Sequence, residues 1–175
     1  RTRKSDVIAD VLHFSFTVSD LDRSVEWYTN VLGLELVHRQ DQDNDYTRQL
    51  VGVPGAVLRV AQLKVPGADP KYSTHMLELV EYTKGADETE VDLPINRTGM
   101  AHLAFIVNDL EERYERMVAA GVTFKNPPVR VTAGANTGAL ACYLLDPDGC
   151  TLEFMQFPDE RADRLGIPRH DKAGA

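Results

Sequence analysis

His13, Glu78, His102 and Glu153 are the residues of this chain whose types and spacing best suit shared chemistry. His13 opens the phrase His13-Phe14-Ser15-Phe16-Thr17-Val18-Ser19-Asp20-Leu21, and His102 opens His102-Leu103-Ala104-Phe105-Ile106-Val107-Asn108-Asp109-Leu110. His, Phe, Val, Asp and Leu recur at the same offsets in both. Each half then closes on a strand-like segment with a central glutamate, Met76-Leu77-Glu78-Leu79-Val80 and Thr151-Leu152-Glu153-Phe154-Met155. An unpaired carboxylate in such an apolar strand is costly to bury. A divalent cation removes that cost, and imidazole with carboxylate suits Zn, Ni, Co, Mn or Fe. One ion on two imidazoles and two carboxylates keeps positions open for a substrate with two neighbouring oxygens. It would acidify a C–H beside a carbonyl by stabilising the enediolate, while a nearby base takes and returns the proton.

Strands must position these side chains. Leu12, Phe14, Phe16 and Val18 alternate with His13, Ser15 and Thr17, giving one apolar face and one small polar face that carries the histidine. Ser19-Asp20 offers an N-cap for a helix through Leu21, Val25, Tyr28 and Leu32, closed by Gly33. Further strands are expected at 34–39, 57–63 and 75–82, with a polar loop at 40–45 and a short helical turn near 46–51. The second half repeats the order. A strand at 100–107 leads to a helix through Leu110, Tyr114, Met117 and Val118, and a short strand follows at 122–124. After a Pro127-Pro128 loop, strands at 139–145 and 151–157 flank the turn Asp146-Pro147-Asp148-Gly149. The expected division is an N-terminal tail 1–10, a first module 11–83, a linker 84–98, a second module 99–157 and a peripheral C-terminal tail 158–175.

A formal charge of -8 argues against a nucleic-acid partner, because a phosphate-tracking surface needs clustered Lys and Arg. The basic cluster Arg1 to Lys4 is a short tail. No apolar run approaches the roughly 18 residues that span a bilayer, so no membrane partner is expected. Cys142 and Cys150 lack the spacing of a Cys-x-x-Cys motif; two plain thiols favour a cytoplasmic setting. His38, His75 and His170 read as non-ligands. His75 is odd in sequence from Glu78, so strand alternation aims it at the opposite face, and Glu81 likewise reads as a solvated charge.

Each half thus reads βαβββ, an α+β design in tandem. Residues 11 to 157 resemble the vicinal-oxygen-chelate superfamily, which includes glyoxalase I, methylmalonyl-CoA epimerase, extradiol dioxygenases and the fosfomycin and bleomycin resistance proteins. The resemblance is carried by His13 with the Asp20-Leu21 helix entry, by Trp27-Tyr28 before Leu32-Gly33-Leu34, and by Asp146-Pro147-Asp148-Gly149 leading to Leu152-Glu153. It implies two tandem βαβββ modules forming a curled mixed sheet around a metal-containing cavity. Ligands come from the first and fourth strand of each module, here His13, Glu78, His102 and Glu153. The resemblance also implies a homodimer, with modules paired within one chain or swapped between two.

Three activities follow from the resemblance. The first is an isomerase, epimerase or lyase that moves a proton beside a chelated carbonyl, with Glu78 or Glu153 as base. The second is an extradiol Fe(II) dioxygenase, which needs two His and one Glu; a carboxylate at Glu78 fills a position the oxygenase wants open. The third is a small-molecule binding or antibiotic-resistance protein, a class that tends to lack part of the ligand set. Glyoxalase I enzymes usually place an arginine four residues after the first ligand histidine and often an asparagine four after the first ligand glutamate. This chain has Thr17 and Tyr82 there. Methylmalonyl-CoA epimerases often carry Gln at the second ligand position. The substrate is therefore expected to be a small non-glutathione molecule, a sugar- or cyclitol-like hydroxyketone or an acyl thioester. Candidate substrate contacts are Arg59, whose guanidinium can grip an anion by a forked hydrogen bond, Tyr143, a donor to a substrate oxygen, and Arg48 near the loop over the first module. Trp27 and Tyr28 read as core or interface.

Overall fold

The computed structural model describes residues 8, 10–87, 89 and 94–168. Arg1 to Lys4, His170 and part of the expected linker lie outside them. The chain divides into two units, Arg1–Thr89 and Glu90–Ala175.

The first unit runs β1 (Phe14–Thr17), α1 (Leu21–Asn30), β2 (Glu35–Gln42), α2 (Asp45–Val51), β3 (Val57–Lys64) and β4 (Leu77–Lys84). Its sheet has the order β1-β4-β3-β2, with β1 parallel to β4 and the other pairs antiparallel. Alternation along the strands gives the sheet two different faces. Phe16, Ala61, Leu63, Leu77 and Leu79 are buried on one, with Leu21, Val25 and Tyr28 of α1. Each large apolar side chain buried there contributes roughly 1.5–3 kcal/mol. The other face carries Ser15, Gln62 and Glu78 in register. Further along it, Val80 and Tyr82 pack with Ala56, Leu58 and Val60 against Val51 and Val53 at the end of α2.

Sequence-local chemistry starts the helices. Asp20 Oδ1 accepts from Arg23 N at 3.0 Å at the α1 entry, and Asn44 Oδ1 accepts from Thr47 N at 2.9 Å at the α2 entry. Gly52, at φ 71°, ends α2 in the left-handed conformation.

The second unit runs β5 (Leu103–Ile106), α3 (Leu110–Ala119), β6 (Val129–Arg130), β7 (Leu140–Leu145), β8 (Thr151–Gln156) and α4 (Asp159–Leu165). Its sheet order, β5-β8-β7-β6, repeats the topology of the first, again with the outer first strand parallel to the last. Cys142, Leu144, Leu152 and Phe154 are buried on one face, with Leu110 and Met117 of α3. Ala104, Tyr143 and Glu153 share the other.

Three local expectations change. β2 runs on to Gln42 and α2 starts at Asp45, so little of the loop expected at 40–45 remains. The strand expected at 122–124 shrinks to a single bridge, Phe124 to Leu144, and the edge strand is β6 instead. Pro127 and Pro128 have no N–H to donate to a ladder, so pairing resumes only after them. Part of the expected C-terminal tail folds as α4, which starts after Pro158, buries Ala162 and closes at Gly166 in the left-handed region. Among the described residues, no helix is long and apolar enough to cross a membrane.

Candidate metal centre

In the second unit His102 stands just before β5, and Glu153 sits on β8, which pairs with β5 in parallel. His102 Nε2 lies 3.0 Å from Glu153 Oε2. Glu153 is only 9% exposed, so its carboxylate needs the partner that this contact supplies. Tyr143 is the register partner of Glu153 on β7, and its ring meets His102 edge-on with centroids 5.3 Å apart. Burial, then the Glu153 charge, raises the phenol above its ordinary pKa, so Tyr143 stays a hydrogen-bond donor.

In the first unit the backbone N–H of Phe14 donates to Met76 O at 3.0 Å, fixing His13 alongside the segment that enters β4. His13 Nε2 lies 4.0 Å from Glu78 Oε1. Gln62, the register partner of Glu78 on β3, donates from Nε2 to Glu78 Oε2 at 3.4 Å.

His75 departs from its expected place. It is buried, with Nε2 3.2 Å from His13 Nδ1 and 3.8 Å from Glu78 Oε2. The alternation that would send it to the opposite face applies only inside a strand, and β4 begins at Leu77. Before that point Ser73 sets the direction: its Oγ accepts the His75 backbone N–H at 3.1 Å and lies 3.0 Å from Nδ1 of the ring. Burial first, then His13, lowers the His75 pKa, with Glu78 opposing. His13, His75 and Glu78 each offer a donor atom within 4.8 Å of the others. Imidazole nitrogens and carboxylate oxygens in that arrangement fit a divalent transition ion.

The remaining candidates lie elsewhere. Arg59 is on the sheet face covered by α1, where Nη2 donates to Asp22 Oδ2 at 2.8 Å and Nη1 to Glu81 Oε2 at 3.0 Å. It is not brought to the Glu78 face. Glu81 does face away from Glu78, but it is no solvated charge, since it also accepts from Leu21 N at 3.4 Å. Arg48 pairs with Asp43 and, at 3.1 Å, with Asp45 beside its own helix. His38 lies exposed on β2, and Tyr28 is fully buried with Trp27 edge-on to it. Sequence reasoning missed His75 and Gln62. The register of β3 against β4 is the signal that finds Gln62, because it places that amide directly opposite Glu78.

A family model described as the glyoxalase/bleomycin resistance protein/dioxygenase superfamily matches residues 10–154, and the chain belongs to that superfamily. A 2-epi-5-epi-valiolone epimerase from an Actinomyces species is 35% identical over 153 residues, covering 85% of this chain and 79% of the relative. A lactoylglutathione lyase of Arabidopsis thaliana is 28% identical over 146 residues, covering 83% of this chain. The match spans 43% of that plant protein, so the chain corresponds to less than half of its length. The solved structure of a glyoxalase-family protein from Bacillus cereus aligns with 89% of this chain and 99% of its own, at a TM-score of 0.70 and 19% identity. That likeness shows the shared fold.

Proposed function

We propose that the chain is a divalent-metal-dependent epimerase, or a closely related isomerase or lyase, that moves a proton on the carbon beside a carbonyl of a small hydroxyketone. The observation that carries this reading is the duplicated pairing of one histidine with one glutamate at corresponding strand positions, His102 with Glu153 and His13 with Glu78. The proposed ligand set is His13, Glu78, His102 and Glu153, whether one chain or two supplies it. When bound, the ion would act as a Lewis acid on the substrate's carbonyl oxygen.

The side chains supply the rest. One glutamate takes the proton, and in epimerisation a second acid on the other side, the remaining glutamate, would deliver a proton to the opposite face of the carbon. Glu153 keeps one short contact, to His102, while Glu78 is shared among Gln62, His13 and His75. We therefore favour Glu153 as the first proton acceptor. The Tyr143 hydroxyl, kept protonated, would donate to a substrate oxygen. Arg59 and Arg48 are held by carboxylates and have no part in this proposal. A relative named for epimerising 2-epi-5-epi-valiolone favours a hydroxyketone over an acyl thioester. Thr17, where glyoxalase I usually carries an arginine, argues against glutathione.

The test is metal analysis of the purified chain, followed by incubation with 2-epi-5-epi-valiolone in heavy water. Roughly one divalent ion per chain is expected, together with deuterium uptake beside the ketone that Glu153→Gln strongly slows. A metal-loaded protein that leaves this and related hydroxyketones unexchanged would sink the reading. Consumption of molecular oxygen with a catechol would replace it with the dioxygenase.

A further inference from the structure

The proton transfer proposed above makes no use of His75, which is among the few buried polar side chains of the first unit. Its ring is held from two sides. Ser73 Oγ lies 3.0 Å from Nδ1 and is itself fixed by accepting the His75 backbone N–H at 3.1 Å. On the other side Nε2 lies 3.2 Å from Nδ1 of His13, with the rings stacked at 5.1 Å and 28°. His13 turns its remaining nitrogen, Nε2, toward Glu78 Oε1 at 4.0 Å.

Two imidazole nitrogens facing each other at this distance need one proton between them, so one must donate and the other accept. A histidine that binds an ion through Nε2 carries its proton on Nδ1, and a partner on that proton fixes both tautomer and ring orientation. His75 Nε2 stands where that partner must be. Its own proton then sits on Nδ1, facing Ser73 Oγ. Direct ligation by His75 fits less well, because Nε2 would have to give up His13. A fifth protein ligand would also crowd out a substrate that binds through two oxygens.

We propose that His75 is a positioning residue, which holds His13 in the Nδ1–H tautomer and so aims its Nε2 at the ion, with Ser73 as the anchor. The proposal rests on the metal reading above. At the matching offset before Glu153 the second unit carries Cys150, and no such relay is seen there among the described residues.

The test uses the full chain with isotope-labelled histidine nitrogens, zinc ions and nuclear magnetic resonance. In the zinc-loaded protein, His13 is expected to show a slowly exchanging proton on Nδ1 with zinc on Nε2, and His75 a proton on Nδ1. His75→Ala should abolish that slow exchange and weaken zinc binding by roughly 10- to 100-fold. His75→Gln, whose amide oxygen can accept the same hydrogen bond, should recover most of the affinity. The tautomers of the unmodified protein decide the matter even if His75→Ala does not fold. Zinc bound to Nε2 of His75, or a His75→Ala protein with unchanged affinity and an unchanged His13 proton, overturns the proposal and leaves the metal reading standing. An unmodified protein that binds no zinc overturns both.

Discussion

In the second unit His102 and Glu153 touch at 3.0 Å, whereas in the first His13 and Glu78 stand 4.0 Å apart. The backbones do not explain the difference, since both units pair an outer strand in parallel with the glutamate strand at the same register. Neighbouring side chains do. Opposite Glu78 is the amide of Gln62, which donates to it, and opposite Glu153 is Tyr143. His75 enters the first pair from the side, and the matching residue of the second is Cys150. Repetition has preserved what strand register dictates and let the residues around it diverge. The helix entries follow the same rule. Glu81 Oε2 accepts from Leu21 N, and Gln156 Oε1 accepts from Leu110 N at 2.7 Å, each three residues past its glutamate. Asp20 adds a side-chain cap to α1, but Asp109 sits at φ 51° and caps nothing, so Gln156 carries the α3 entry alone among the described residues.

The sharpest way to break this comparison is to neutralise each glutamate. Glu153→Gln and Glu78→Gln should each slow deuterium exchange beside the ketone by on the order of 10²- to 10⁴-fold. If Glu153 is the first acceptor, its variant loses more. Equal losses would mean that the surroundings of the two pairs are catalytically irrelevant, and wild-type exchange in either variant would remove that glutamate from the mechanism.

Leu79 and Phe154 each follow a glutamate and each lie buried on the helix-covered face. Leu79→Ala should cost about 2–5 kcal/mol and Phe154→Ala about 3–5 kcal/mol, read from urea unfolding. A loss below about 1 kcal/mol at either position would mean that its unit's face is not a packed core.

The tandem α+β fold was legible because strand alternation and the Asp-Leu helix entries repeat in order in the sequence, and those signals are local, although only Asp20 caps its helix. The pairing of each histidine with its glutamate was legible for the same reason. Arg59 shares the face of Ala61 and Leu63, as alternation gives, but its capture by Asp22 and Glu81 is set by tertiary pairing that the sequence does not display. His75 was misplaced because alternation was extended past the start of β4. Gln62 became visible only once the register of two strands was known. Each failure concerns a contact set by tertiary pairing or by a side chain, as with Ser73, and periodicity carries neither.

The helix entries provide a smaller test. Glu81→Ala should cost about 1.5–3 kcal/mol, because it strips a charged partner from Arg59 as well as the acceptor from Leu21 N, and Gln156→Ala should cost about 1 kcal/mol. Thermal unfolding of the two variants checks the order. A costlier Gln156→Ala would mean that the lone cap of α3 matters more than the charge network around α1.

The least effect is expected at the thiols, where the two units differ most in chemistry. Burial, then Asp146 and Asp148, pushes Cys150 up to about 12, and burial, then Glu153, pushes Cys142 up to about 11. A protonated thiol is only a weak hydrogen-bond acceptor, so Cys150 is a poor stand-in for the part proposed for His75. A raised thiol pKa means that the folded chain keeps protons which the unfolded chain releases. The stabilisation is therefore complete below the unfolded thiol value of about 8.5 and is lost as pH rises from there through the folded values. Urea midpoints should fall above about pH 9, and less so in Cys150→Ser, which has no thiol to ionise at that position. Iodoacetamide at about pH 8 should label the folded chain at least 100-fold more slowly than the unfolded one, since so little thiolate is present. Fast labelling of Cys150 would mean that a thiolate, a hydrogen-bond acceptor, stands where the first unit has His75, and the asymmetry drawn between them would shrink to a change of acceptor type.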